Sequence, residues 1–283
     1  MNKDIIIDIL DKAQFTKELI AYVVVNFPEN YKKKFNQPYH KEYSDNPLLE
    51  LDPKERLIES LAQLISLKKY YADKGIPLAH LYRSIYDLNY RVERYYDNHG
   101  SYGLSEWDTR WLSSLYRGKI FDLGSLRFEI SGFSSKEIQR SDYQYMHLEQ
   151  KWKDEFPEGT PIITIHILKD TDLSPGKVDK SFKLAREFFK DYFPEHDYKA
   201  FVCRTWMLYK PTMDILSEDS NIASFSKRFK TISQNQNTKQ ALDRIYGSDD
   251  LDEIKKMEKK SSLQKTAYKN LDKLGVAGGI IYK

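Results

Sequence analysis

The sequence predicts a helical N-terminal part joined to an α/β or α+β part, in which a β-sheet is flanked by helices. Two observations carry this. The first hundred or so residues repeat their apolar positions at three- and four-residue spacing, and the pattern then changes to short β-branched runs bounded by turn residues. A third feature fixes part of the sheet. Pro161 to Leu168 reads as a strand, Ser174-Pro175 opens a helix, and Tyr198 to Leu208 reads as a second strand. Two strands joined through a helix imply a parallel pair with a right-handed crossover.

Ile5 to Val25 carries a helical stripe, and a loop rich in Pro, Asn and Tyr follows from Phe27 to Asn46. Asp52-Pro53 starts the next helix as cap and first-turn proline, with Glu55 in its first turn, and Gly75-Ile76-Pro77 breaks it. Leu78 to Tyr96 places Leu81, Ile85, Leu88 and Val92 on one face, with Tyr82, Tyr86 and Tyr90 forming an aromatic edge beside it. A short helix is expected over Glu106 to Leu115. Strands follow at Lys119 to Leu123, Leu126 to Ile130 and Tyr143 to Trp152. After the parallel pair come helices near Lys239 to Tyr246 and Leu263 to Leu274, and Gly275 to Tyr282 reads as a turn into a last short strand. Ser233 to Asn237 reads as loosely ordered. The domains are expected as 1–100, helical, and 101–283, carrying the sheet.

At 283 residues, with 40% hydrophobic and 31% charged residues, the chain belongs among globular sequences with a sizeable core. Its net charge of +3 and separated lysine clusters do not make nucleic acid the expected partner. No apolar run is long enough to cross a bilayer, and Asp4 and Asp8 interrupt the first apolar stretch, which a secretory signal would avoid. Cys203 is the only cysteine, so no intrachain disulfide forms and a cytoplasmic setting is expected. No phosphate-binding Gly-x-x-x-x-Gly-Lys loop or dinucleotide fingerprint is present. His147-Leu148-Glu149 is half of a zinc deaminase signature, but one cysteine cannot complete the site.

The loop between Leu168 and Val178 lies on the ligand side of the strand-helix-strand unit. A helix N-terminus there is a seat for phosphate, unless the Ser174 side chain itself satisfies the amides of Gly176 or Lys177. Lys169 and Lys177 favour an anion; Asp170 and Asp172 oppose one.

Several segments, taken in order, resemble an uncharacterised bacterial family of GNAT-like acyltransferases with a helical N-terminal domain and a GNAT-like C-terminal domain. They are Trp111-Leu112 with Gly118 to Glu129; Ile165-His166-Ile167; Phe188-Phe189; Cys203 to Leu208; Ser220-Asn221-Ile222; and Ser262-Leu263-Gln264. The resemblance implies a mixed sheet whose fourth and fifth strands run parallel and splay apart around acyl-CoA, with Ile162 to Leu168 as the fourth and Lys199 to Leu208 as the fifth. It further implies that the backbone at Ile165 and Ile167 meets the thioester and that Lys169, Ser174, Gly176 and Lys177 meet the pyrophosphate. Where the superfamily usually carries Arg/Gln-x-x-Gly-x-Gly/Ala, this chain has Lys169-Asp170-Thr171-Asp172-Leu173-Ser174-Pro175-Gly176.

Acyl transfer to an amine needs a base for the amine proton and donors for the oxyanion. By position, His166 is the first candidate base and Glu129 the second, and Tyr209 is a candidate acid toward the leaving thiolate. For each there is a structural alternative: a hydrogen-bonded core histidine, a surface pair of Glu129 with Arg127 or Lys119, and one tyrosine among 21. Cys203 as a nucleophile is a rival, set against the inertness of most buried thiols. The expected activity is transfer of an acyl group from acyl-CoA to an amine of a small molecule or peptide, with acyl-CoA as co-substrate. The alternative is a non-catalytic binding protein that keeps the fold.

Overall fold

The computed structural model describes residues 2–29, 31–32, 46–141, 144–145 and 147–283. Most of the loop read between Phe27 and Asn46, and Tyr143, lie outside them. The chain divides into two compact units, Met1–Asp122 and Leu123–Lys283.

The first unit is helical: α1 (Asn2–Lys12), α2 (Lys17–Asn26), α3 (Pro53–Asp73), α4 (Leu78–Ser84), α5 (Tyr86–His99) and α6 (Glu106–Tyr116). The stretch expected as one helix over Ile5 to Val25 is two. Gln14 adopts a positive φ of 58°, and the Thr16 hydroxyl accepts from the Leu19 amide to start α2. Asp52 caps α3 as its sequence predicts, accepting from the Glu55 amide. Leu78 to Tyr96 likewise divides, at Ile85, with Leu81, Ile85, Leu88 and Val92 all buried.

Among the described residues nine strands follow: β1 (Ile120–Leu123), β2 (Leu126–Gly132), β3 (Arg140–Ser141), β4 (Gln144–Tyr145), β5 (His147–Leu148), β6 (Pro161–His166), β7 (Ala200–Thr205), β8 (Lys230–Asn235) and β9 (Val276–Tyr282). Among them run α7 (Ser135–Gln139), α8 (Gln150–Glu155), α9 (Pro175–Tyr192), α10 (Lys210–Met213), α11 (Asn221–Ser226), α12 (Lys239–Tyr246), α13 (Leu251–Lys256) and α14 (Ser262–Lys269). Seven strands form one mixed sheet in the order β1-β2-β6-β7-β9-β8-β5, and β3 pairs with β4 separately.

Three expectations change here. The strand read over Tyr143 to Trp152 is two short strands and the start of α8, whose Trp152 turns into the core. Ser233 to Asn237, expected to be loose, belongs largely to β8, which pairs along β9 through a bulge between Thr231 and Ser233. Its polar sequence has little strand preference; pairing on both sides imposes the conformation. β9 is in turn a seven-residue internal strand, not a short terminal one.

The parallel pair is β6 and β7, in chain order the fourth and fifth strands of the seven-stranded sheet, as expected, and its third and fourth in spatial order. On one face Phe128, Phe182, Phe189 and Phe201 interlock edge to face, with ring centroids 5.3–6.5 Å apart, so α9 covers the sheet there. The opposite face buries Ile162, Ala200, Val202, Ile232 and Ile280 against Trp152, Phe156, Phe133 and Ile138.

Candidate active site

The site starts from strand periodicity. β2 and β6 are antiparallel, with Arg127 opposite His166 and Glu129 opposite Thr164. Residues two apart share a face. Arg127, Glu129 and Ser131 therefore stand with Thr164 and His166, while Phe128, Ile163 and Ile165 go to the α9 side. The parallel register Thr164–Val202 adds Arg204 to the polar face and sends Cys203 to the other.

His166 and Glu129 come together: Nε2 lies 2.7 Å from Glu129 Oε2, with the side chains 19% and 15% exposed. With Glu129 a carboxylate, Nε2–H donates to it. The pair is neither fully buried nor fully exposed. It is a partly sheltered imidazole oriented by a carboxylate, an arrangement suited to general base chemistry. Ser131 Oγ and Thr164 Oγ1, 2.7 Å apart, continue the polar row along the strands.

The strands separate beside this pair. β6 pairs with β2 through His166, and β7 pairs with β9 through Thr205, but β6 and β7 pair with each other only at Ile162–Ala200, Ile163–Phe201 and Thr164–Val202. Beyond Thr164 the two strands continue without joining. Neither strand reaches its expected length: β6 stops at His166, leaving Ile167 and Leu168 in the loop, and β7 gives way to a 3-10 turn at Trp206–Leu208.

The loop after β6 is held by Thr171, whose hydroxyl donates to the Leu168 carbonyl at 2.7 Å, and it turns through Asp170 at φ 60°. Pro175 takes the first helical position of α9, but Ser174 makes no side-chain cap; the Lys177 and Val178 amides reach its carbonyl instead. Ser174 thus does not satisfy Gly176 with its hydroxyl, and the space over the Gly176 α-carbon is open. The N-terminal end of an 18-residue helix dipole meets that space. Asp172 accepts the Ser174 amide at 2.9 Å, which holds its carboxyl below the usual range. Arg228 adds positive charge, bonding Asp179 at 2.8 Å and the Pro175 carbonyl at 3.4 Å.

Tyr209 does not join this group. It follows the turn after β7, is 8% exposed, and packs its ring over Gly275, just before β9. A Cβ at Gly275 would lie 2.5 Å from that ring. Cys203 is buried on the α9 face, and burial pushes its thiol up to about 12. It cannot meet His166, which stands on the other face.

Two arginines escaped the sequence reading as site residues. Arg127 is 1% exposed among the largest fully buried side chains, and Arg204 shares its face across the gap. Their signal was period two: Arg127, Glu129 and Ser131 alternate with apolar neighbours in a strand too central to present a solvated face. Among the described residues no group of three or more His, Cys, Asp or Glu could hold a metal ion, and no helix is long and apolar enough to cross a membrane.

A mixed sheet opened between parallel strands, beside a helix start with an open glycine, is a GNAT-like fold. The sequence matches the GNAT-like C-terminal domain over residues 120–281 and the N-acyltransferase N-terminal domain over residues 8–118, and the chain belongs to this GNAT-like family. Similar solved structures include an acyltransferase in complex with decanoyl-CoA and teicoplanin, at 19% identity and TM-score 0.72, covering 97% of this chain and 86% of that one. The crystal structure of an acyltransferase with decanoyl-CoA matches at 19% identity and TM-score 0.71 over the same shares. One with CoA and 10C-Teicoplanin matches at 18% and 0.72, again over those shares. A search of curated protein sequences finds no match.

Proposed function

We propose that the protein transfers an acyl group from acyl-CoA to an amine of a small molecule or peptide, and that it works in the cytoplasm. The observation that carries the reading is the gap opening between β6 and β7 directly beside the His166–Glu129 pair. In this reading the thioester lies in the gap against the backbone of Ile165 and Ile167, and the pyrophosphate meets Lys169, Ser174, Gly176 and Lys177 at the start of α9. The amine nitrogen attacks the thioester carbonyl, a C–N bond forms and the C–S bond breaks. His166 takes the proton that the amine loses, while Glu129 stabilises the imidazolium. The departing thiolate takes its proton from Tyr209 through water, since that tyrosine stands apart from the His166–Glu129 pair. The similar acyltransferases were crystallised with decanoyl-CoA or CoA, and two of them with teicoplanin or 10C-Teicoplanin, which supports both the co-substrate and an acceptor of that size range.

The test is binding followed by turnover. A ligand at a hundredfold excess over its dissociation constant adds about 2.7 kcal/mol to stability, several degrees in melting temperature. Decanoyl-CoA should produce such a shift and, with an amine acceptor, release CoA. A shift without CoA release from any amine offered favours a binding protein; no shift at millimolar acyl-CoA defeats the proposal.

A further inference from the structure

The first unit contains a cleft of about 610 Å³, walled by Tyr22, Tyr95, Tyr96 and Tyr102 and lined also by Asp52 and Lys54. Sites for small ligands fall in this size range. Its walls are built, not incidental. α5 ends at Gly100 in the left-handed region, φ 67°, with its amide on the Tyr96 carbonyl at 2.7 Å. The chain then passes beneath Tyr95 at Gly103, where a Cβ would lie 2.8 Å from that ring and 2.9 Å from Pro53. Only glycine fits, and the Leu104 amide fastens the segment to the Pro53 carbonyl at 2.9 Å. Tyr102 is held between two neighbours: its ring centroid is 4.7 Å from that of Tyr22 and 4.6 Å from that of Tyr96. Tyr96 nevertheless stays 42% exposed.

Carboxylates act on two of these rings. Burial raises the Tyr102 hydroxyl to about 12, and the carboxylates of Glu93 and Glu18 push in the same direction; Asp52 does so at Tyr22. Lys54 is the opposing charge in the lining, and its ammonium is directed to Asn26 Oδ1 at 3.3 Å. Clustered π-faces in a field of carboxylates attract organic cations, and aromatic enclosures of this kind take alkylated ammonium groups. A neutral ring or chain gains from the same walls but not from the field.

We propose that the Tyr22–Tyr95–Tyr96–Tyr102 cleft binds an organic ammonium group, independently of acyl-CoA. The full-length protein is titrated calorimetrically with choline and with its neutral isostere 3,3-dimethylbutan-1-ol. Choline should saturate one site and bind about tenfold or more tighter than the alcohol. Tyr96→Ala should weaken choline severalfold, and Tyr96→Phe, which keeps the ring, should not. Equal affinity for the two probes, no saturable choline binding, or unchanged affinity in a folded Tyr96→Ala variant would each overturn the proposal. The comparison of the two probes on the unaltered chain decides it even if the variant fails to fold.

Discussion

Cys203 and Arg204 are neighbours in the chain and opposites in circumstance. Cys203 goes with Phe201, Ile163 and Ile165 to the side sealed by α9, where aromatic rings interlock. Arg204 goes with Thr164, His166 and Glu129 to the side on which the strands part. The sealed face is built to exclude water and therefore raises the thiol, while the other keeps titratable groups hydrogen-bonded and partly wet. Reactivity in this sheet is assigned by face, not by which residue has the more reactive atom.

That contrast breaks first at the base. His166→Ala should reduce acyl transfer by about a hundred- to ten-thousandfold, with the melting temperature changed little, because the side chain lies at the opened end and not in the apolar core. Glu129→Gln should cost activity by a smaller factor, since the amide oxygen can still accept from Nε2–H but stabilises an imidazolium less. Steady-state CoA release checks both; retained activity in a folded His166→Ala protein removes the dyad from the mechanism. The sealed face should respond in the opposite currency. Phe201→Ala deletes a ring packed on Phe128, Phe182 and Tyr198 and should lower stability by about 3–5 kcal/mol, read by denaturant unfolding.

Much of this arrangement was legible. Pro161 to Tyr209 declares its strand-helix-strand unit because β-branched runs, a proline at the first helical turn and a 3.6-residue stripe all agree locally. His166 and Glu129 were both visible as candidates, but their contact depends on the register between β2 and β6, which brings together two residues 37 apart in the chain. No local pattern encodes that. β8 was missed for a related reason: Lys230-Thr231-Ile232-Ser233-Gln234-Asn235 is extended because β9 and β5 lie on either side, and its own residues scarcely ask for it. Helix ends were overextended at Gln14 and Ile85, where one residue's backbone angle or a partner's packing interrupts an otherwise continuous stripe.

A finer test concerns Tyr209. Gly275→Ala would place a Cβ 2.5 Å from its ring and 2.6 Å from the Asn235 carbonyl, so the ring must move, at a cost of about 1–3 kcal/mol. Tyr209→Phe keeps the packing and removes only the hydroxyl. If Tyr209 protonates the thiolate, both substitutions lower turnover; if Tyr209→Phe turns over normally and Gly275→Ala merely melts earlier, the residue is a spacer between β7 and β9.

The smallest expected effect comes from Cys203→Ala. At neutral pH the substitution should leave turnover intact and change stability by no more than about 1 kcal/mol, since a buried thiol behaves as a small hydrophobe. The difference should appear in alkali. The folded chain holds the thiol proton up to about 12, whereas the ordinary value, 9.0, applies once the chain unfolds. Between those values the unfolded state has released a proton that the folded state keeps, so rising pH favours unfolding. The stability this thiol contributes is therefore fully present below pH 9 and is lost as pH climbs toward 12. Raised tyrosines such as Tyr102 also titrate near the top of this window, but they do so in both proteins. Denaturant unfolding from pH 8 upward should show the unaltered chain losing stability more steeply than Cys203→Ala. Parallel slopes would mean that the thiol is not sealed, and loss of turnover in the variant at pH 7 would return Cys203 to the chemistry from which its face of the sheet excludes it.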